Sequence, residues 1–208
     1  MIGIVDYGMG NIPSLSNALE FIGADHKVIR TPEELATCKA AILPGVGSFK
    51  LAMSKLNEQN LVQPLKDFAE AGQPLMGICL GMQLLAEVGM EHADSEDGTP
   101  GLGFIEGHVT RLEPGELRVP HVGFNILKFS QDDKIVGGLP DSAHFYFVHS
   151  FELRASNDDQ ILGKTDYGHG IVAAVRNKNV WGFQFHPEKS QSNGLRLLIN
   201  FKEHVESC

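Results

Sequence analysis

Pro74-Leu-Met-Gly-Ile-Cys-Leu-Gly-Met-Gln-Leu-Leu85 is the stretch around which the rest of the chain is arranged. Leu75 to Ile78 is a short apolar run that leads into Cys79, and Leu80, Leu84 and Leu85 follow at helical spacing. The pattern predicts a strand, a sharp turn and a helix. Gly77 and Gly81 flank the cysteine two residues away on either side, giving G-x-C-x-G, a nucleophile elbow with sulfur in place of oxygen. Side chains at those two positions would collide across so tight a turn. The N–H groups that open the following helix point at the sulfur and favour the thiolate. The plainer alternative is a buried cysteine in an apolar strand.

The chain has 208 residues, 42% of them hydrophobic and 21% charged, which suits one larger α/β domain over residues 1–208. Its formal net charge of −9 and the lack of a basic cluster argue against nucleic acid as a partner. No apolar run approaches the length of a membrane span. Cys38, Cys79 and Cys208 are odd in number, widely spaced and preceded by no signal-peptide pattern. They read as reduced thiols of a cytoplasmic protein. No Cys or His spacing suggests a metal, and no cofactor is expected.

Outward from the elbow, the first half repeats strand and helix. Met1 to Val5 reads as a buried strand ending at Asp6-Tyr-Gly-Met-Gly-Asn11, and Leu15, Ala18, Leu19 and Ile22 mark a helix over about Pro13 to Ile22. Gly8 and Gly10 lack the third glycine of a dinucleotide fingerprint, so a tight βα turn explains them better. His26 to Ile29 is a second strand, and Thr31-Pro-Glu-Glu34 is a capping box. Ala40 to Leu43 is a third strand, running into Pro44-Gly-Val-Gly-Ser48. That loop is either an ordinary βα turn or a set of exposed N–H donors at a strand's carboxyl end. Helical patterning runs from Phe49 to Ala71 with a break near Pro64. The order βαβαβαβα predicts a mostly parallel sheet with helices on both faces, and ligands of such sheets bind beyond the carboxyl ends of the strands. From Gly98 the texture becomes antiparallel. Strand-like runs cover Phe104 to Leu112, Val122 to Phe129, His144 to Leu153, Gly163 to Lys164 and Ile171 to Arg176, with a hairpin turn at Arg176 to Val180. A last helix spans about Asn193 to Val205.

An activated cysteine needs a base, and the base an orienting group. Of nine histidines, His26, His92, His108, His169 and His204 sit in polar or turn-like contexts and are expected to face solvent, while His121 and His149 belong to distinctive runs. His186 is the best candidate, because it ends the apolar run Val180 to Phe185 and precedes Pro187, which bars a helix. In an extended segment Glu188 then falls on the same side as His186 and fixes its tautomer.

With these residues assembled, Gly77-Ile-Cys-Leu-Gly81 and Phe185-His-Pro-Glu188 together resemble a class I, triad-type glutamine amidotransferase over the whole chain. Asp6 to Asn11, Pro44 to Gly47, Pro120-His-Val-Gly-Phe-Asn125, Tyr146-Phe-Val-His-Ser150 and Phe185 to Gln191 resemble, more narrowly, the family of glutaminase subunits of imidazole glycerol phosphate synthases. Phe124 and Phe151 depart from its pattern, in which Trp and Tyr are usual. The resemblance implies a flavodoxin-like fold, a mixed and mostly parallel central sheet flanked by helices with an antiparallel C-terminal half. It implies Cys79, His186 and Glu188 as a triad that hydrolyses glutamine to glutamate and ammonia. Leu80, with Val46 or Gly47, would supply the oxyanion hole; Gly45, Gln83, Ser150 and Phe151 would contact the substrate. The partner implied is a (βα)₈-barrel cyclase of histidine biosynthesis in a heterodimer, with Asn11, Val122, Tyr146 and Lys189 on the side where ammonia passes. Glutaminase subunits of other pathways share the triad but not the Asp6–Asn11 and Pro120–Asn125 runs. A regulatory relative without activity would have lost a triad member, and none is lost. A cysteine peptidase or redox-type elbow protein would lack His-Pro-Glu near the C-terminus.

Overall fold

A computed structural model describes residues 1–207; Cys208 lies outside the described residues. The first half is laid down as β1 (Ile2–Val5), α1 (Ile12–Phe21), β2 (His26–Ile29), α2 (Pro32–Ala36), β3 (Ala40–Gly45), α3 (Phe49–Glu58), α4 (Val62–Glu70), β4 (Leu75–Cys79) and α5 (Leu80–Gln83). The second half holds β5 (Ala86–Gly89), β6 (Thr99–Pro100), β7 (Ile105–Arg111), β8 (His121–Phe129), β9 (His144–His149), β10 (Phe151–Ala155), β11 (Ile161–Asp166), β12 (Gly170–Asn177), β13 (Val180–Phe183) and α6 (Gln191–Ser207).

Nine strands form one sheet in the order β2-β1-β3-β4-β13-β12-β11-β8-β9. The run from β2 to β13 is parallel, and the remainder is antiparallel. The last strand, β13, therefore lies beside β4, with Gly182 opposite Gly77 and Phe183 opposite Ile78. That insertion brings the two sequence motifs to the same end of the sheet from positions a hundred residues apart. One face buries Leu15 and Leu19 of α1 and Leu197, Leu198 and Phe201 of α6; the other buries Phe49, Met53 and Leu56 of α3 and Leu65 of α4.

Local signals account for several boundaries. Thr31 and Glu34 form the reciprocal capping box that opens α2. The hairpin between β12 and β13 turns through Lys178, whose φ is 54°. Three expectations are corrected. The break in the Phe49–Ala71 helix falls before Pro64, at Asn60 with φ 55°, and Pro64 sits in the first turn of α4, where its missing N–H has no helical acceptor to serve. The run His144 to Leu153 divides at Ser150: β9 joins the large sheet, whereas β10 joins a second, four-stranded sheet in the order β10-β7-β5-β6. The helix after Cys79 is a single turn. Leu84 and Leu85 leave it because their carbonyls accept from Leu102, Phe104 and Ile105, and the chain continues as β5 of the second sheet.

Candidate active site

Cys79 ends β4 with φ 54° and ψ −112°, a strained setting for a residue with a Cβ. The glycines beside it explain how so sharp a turn closes. A Cβ at Gly77 would lie 2.5 Å from the Gly81 oxygen, and one at Gly81 would lie 1.7 Å from the Leu43 oxygen on the adjacent strand. The elbow is thus pressed against β3, whose Gly45 pairs with Cys79.

His186 follows β13 and is anchored by its own N–H, which donates to the Tyr146 carbonyl at 2.9 Å. Its Nδ1 lies 2.8 Å from Glu188 Oε1, with both side chains almost fully buried. The ion pair leaves Nε2 buried without a hydrogen-bond partner, the atom free to exchange a proton in the pocket. Burial alone pulls this imidazole down, but the Cys79 sulfur and the Glu188 carboxylate outweigh it and push it up to about 9. A base whose catalytic hydrogen bond is still open is a common resting geometry.

One pocket gathers Cys79, Leu80, His186, Val46, Gly47, Gln83, Ser150 and Phe151. Eight of the residues expected at the triad, the oxyanion hole and the substrate site therefore line the same cavity. Glu188 stands behind His186. Gly45 supports the turn from beneath, since a Cβ there would meet Leu80 Cβ at 2.8 Å and Gly81 N at 2.9 Å. Gly47 has φ +111°, a conformation that favours glycine.

Of the residues expected on the partner side, Tyr146 and Lys189 lie together, and Val122 is on the strand paired with that of Tyr146. Val122 is 56% exposed, and Phe124, Ile126 and Val148 beside it are exposed too. Tyr146 meets Phe124 edge-on, and the Lys189 Nζ lies 5.9 Å above the Tyr146 ring. Asn11 caps α1, which packs on the turn Pro187–Lys189.

Several site residues carry no motif. Gln184, fully buried, donates from Nε2 to Cys79 Sγ at 3.8 Å, and its oxygen accepts from Gln83 Nε2 at 2.9 Å. Its alternation with Phe183 and Phe185 on an apolar run was the available signal. Glu91 and Pro120 also line the pocket, and the Glu91 carboxylate accepts from the N–H of Phe49 at the start of α3. His149 lines it as well. Among the histidines expected to face solvent, His92 and His108 are exposed. His26 is instead half-buried against Ser16, His169 pairs with the buried Glu152, and His204 packs edge-on to Trp181. Among the described residues no group of His, Cys, Asp and Glu has the arrangement to hold a metal ion.

A thiol on a strained elbow and a buried imidazole oriented by a carboxylate, sharing one pocket with Val46 and Gly47, together suit acyl transfer from an amide. The family model for class-I glutamine amidotransferases matches residues 3–204, and the chain belongs to that family. Within it, similar curated proteins include imidazole glycerol phosphate synthase subunits HisH. The one from Desulfitobacterium hafniense is 46% identical over 99% of this chain and 95% of its own length. That from Aquifex aeolicus is 43% identical over 98% and 96%. A solved structure titled as a glutamine amidotransferase aligns with TM-score 0.76 at 23% identity, covering 100% of this chain and 99% of its own. PurLQS from Thermotoga maritima aligns with TM-score 0.77 at 19% identity, covering 98% of each. At those identities the two structures support the fold alone. The relatives support a glutaminase subunit of the imidazole glycerol phosphate synthase kind.

Proposed function

We propose that residues 1–208 form a single glutaminase domain in which Cys79, His186 and Glu188 hydrolyse glutamine and deliver the ammonia to a (βα)₈-barrel cyclase partner. The observation that carries the reading is the shared pocket of Cys79 and the partnerless His186 Nε2, with Nδ1 held by Glu188 at 2.8 Å.

The Cys79 thiol passes its proton to His186 Nε2, and Sγ attacks the side-chain amide carbon, forming a C–S bond as the carbonyl π bond opens to a tetrahedral oxyanion. The N–H of Leu80, next after the nucleophile, and one from the Val46–Gly47 loop hold that oxyanion; losing one such donor typically costs about 2.7–4 kcal/mol in the barrier. His186 gives its Nε2 proton to the departing nitrogen as the C–N bond breaks, releasing ammonia and leaving a thioester. It then takes a proton from the water that attacks the thioester and passes it to the sulfur as the C–S bond breaks, which releases glutamate and restores the thiol. Gln83, Ser150 and Phe151 hold the amino-acid end of the substrate.

The same reading places the acceptor of the ammonia on the partner. The exposed apolar face of Val122, Phe124, Ile126 and Val148, with Tyr146, Lys189 and Asn11 beside it, favours docking there. Relatives named as subunits of an imidazole glycerol phosphate synthase support the same reading; with it the proposal places the chain in histidine biosynthesis, in the cytoplasm and in a heterodimer. No helix among the described residues is long and apolar enough to cross a membrane. The test is glutamate release by this chain with and without a barrel cyclase and its nucleotide substrate. Release that the cyclase stimulates is expected; no release in either case contradicts the proposal.

A further inference from the structure

Behind the glutamine pocket lies a side-chain chain that the chemistry above does not use. His121 and His149 are directly opposite each other on the β8–β9 ladder, both on its inward face and both buried. The Phe151 carbonyl accepts from His149 Nδ1 at 2.8 Å and from Gln83 Nε2 at 3.1 Å. His149 Nε2 lies 3.0 Å from His121 Nδ1, and His121 Nε2 lies 3.3 Å from Asn125 Nδ2.

The direction of this chain follows from which atoms can only accept. A carbonyl has no proton, so His149 Nδ1 carries one. In a neutral ring Nε2 is then bare and accepts, so His121 Nδ1 donates to it. His121 Nε2 is bare in turn and accepts from the Asn125 amide. That amide cannot turn over. Its nitrogen also donates to the Asp166 carbonyl at 2.8 Å, and its oxygen accepts from the Ile126 N–H at 2.8 Å. Every polar atom is satisfied by two neutral rings in one pair of tautomers, and an added proton would set donor against donor. His121 is held in plane by stacking between Phe147, at 4.8 Å and 20°, and Tyr167, at 4.0 Å and 23°. Burial, the larger influence on each ring, agrees by pulling both imidazoles down to about 4.

We infer that His149 is a positioning residue for glutamine: its Nδ1–H fixes the Phe151 carbonyl and so the Ser150–Phe151 wall of the pocket, and His121 holds His149 in the tautomer that can donate. The inference rests on the reading of this pocket as a glutamine site. Two donors from different elements, Gln83 on α5 and His149 on β9, converge on one main-chain oxygen at the point where the chain leaves the large sheet for the small one. Without the imidazole the Phe151 carbonyl keeps Gln83 as the one side-chain donor of the pair, and Gln83 is then drawn from its own place in the pocket. The loss falls on substrate binding more than on the chemical step, because neither ring has a nitrogen left for the substrate or for Cys79.

The experiment measures glutamate release against glutamine concentration for the chain in complex with a barrel cyclase, comparing wild type with His149→Ala, His149→Asn and His121→Phe. Alkylation of Cys79 by iodoacetamide without glutamine reports the nucleophile separately. His149→Ala is expected to raise KM about five- to tenfold, the worth of one hydrogen bond. Its kcat should stay within about threefold and its alkylation rate close to that of wild type. His149→Asn places an amide N–H where Nδ1–H was and should return most of the lost affinity. His121→Phe keeps the stack but removes the tautomer lock, and should raise KM by a smaller factor. A KM in His149→Ala within about twofold of wild type, or an Asn variant no better than Ala, overturns the inference. If the Ala variant does not fold, an unchanged KM in His121→Phe overturns it instead. A wild-type complex that releases no glutamate contradicts the glutamine reading itself, a result separable from the others.

Discussion

Gly81 sits so close to Leu43 that a Cβ on the glycine would lie 1.7 Å from the leucine carbonyl oxygen. The contact joins the nucleophile turn to the neighbouring parallel strand, and it explains why the cysteine's strained backbone persists. Gly81→Ala must push backbone from backbone, which no side-chain rotation relieves. Overpacking typically costs about 1–3 kcal/mol, and a main-chain clash belongs at or above the upper end. Urea unfolding should show that loss together with loss of glutaminase activity; a variant as stable as wild type would contradict the packing account of the elbow.

His186 and Glu188 are expected to be unequal. In the proposed mechanism the histidine moves protons, and general acid–base catalysis is worth about 10²–10⁴-fold. The carboxylate only orients and charges the ring. His186→Ala should therefore lower kcat far more than Glu188→Gln, whose amide oxygen still accepts from Nδ1–H. Equal losses would mean that Glu188 has a chemical part.

Stability should peak near pH 6.5, the ordinary value for the three imidazoles concerned. His121 and His149 are lowered to about 4, so the unfolded chain takes up protons that the native rings refuse as pH falls from 6.5 to 4. Their contribution is fully present above 6.5 and is lost through that window. His186 is raised to about 9, so its contribution is complete below 6.5 and is lost as pH rises to about 9. Unfolding free energies across this range should show both limbs. Replacing His149 by Asn should flatten the acid limb and spare the alkaline one; an acid limb identical in the two proteins would count against buried neutral rings.

The proposed triad is legible in the sequence because its signals are local: two glycines around Cys79, and a proline between His186 and Glu188. The parallel half is legible for the same reason, since each strand and helix carries its own period. The second sheet is not. Leu84 and Leu85 sit at helical spacing, and only contacts from Leu102 to Ile105 turn them into strand edges. Gln184 and His149 stand out only as polar residues in apolar runs, and their roles are not legible, because their partners lie 101 residues away at Gln83 and 28 at His121. A hydrogen-bond chain assembled across β8, β9, α5 and the residue after β13 has no spacing to read.

The Val46–Gly47 segment should govern how strongly the partner stimulates hydrolysis. Gly47 holds φ +111°, and a Cβ there would meet Met9 Cε at 2.6 Å, so alanine both strains the backbone and crowds Met9. If this peptide turns to present an oxyanion donor, the cyclase with its ligand raises turnover at least about tenfold, since one donor is worth about 10²–10³. Gly47→Ala should change that ratio more than it changes the affinity of the complex. A free subunit already as fast as the liganded complex would contradict a partner-dependent donor.

The separation of glutamine chemistry from synthesis is tested most directly by Cys79→Ala in complex with a barrel cyclase, assayed once with glutamine and once with an ammonium salt. Cys79 is the only thiol in the pocket among the described residues, while Cys38 is buried beneath β1, where a Cβ on Gly3 would meet its sulfur at 2.8 Å. The expected result is no product from glutamine and product from ammonium at the wild-type rate. Loss of both activities, or synthesis from glutamine that survives the substitution, would contradict a Cys79 thioester as the source of the ammonia.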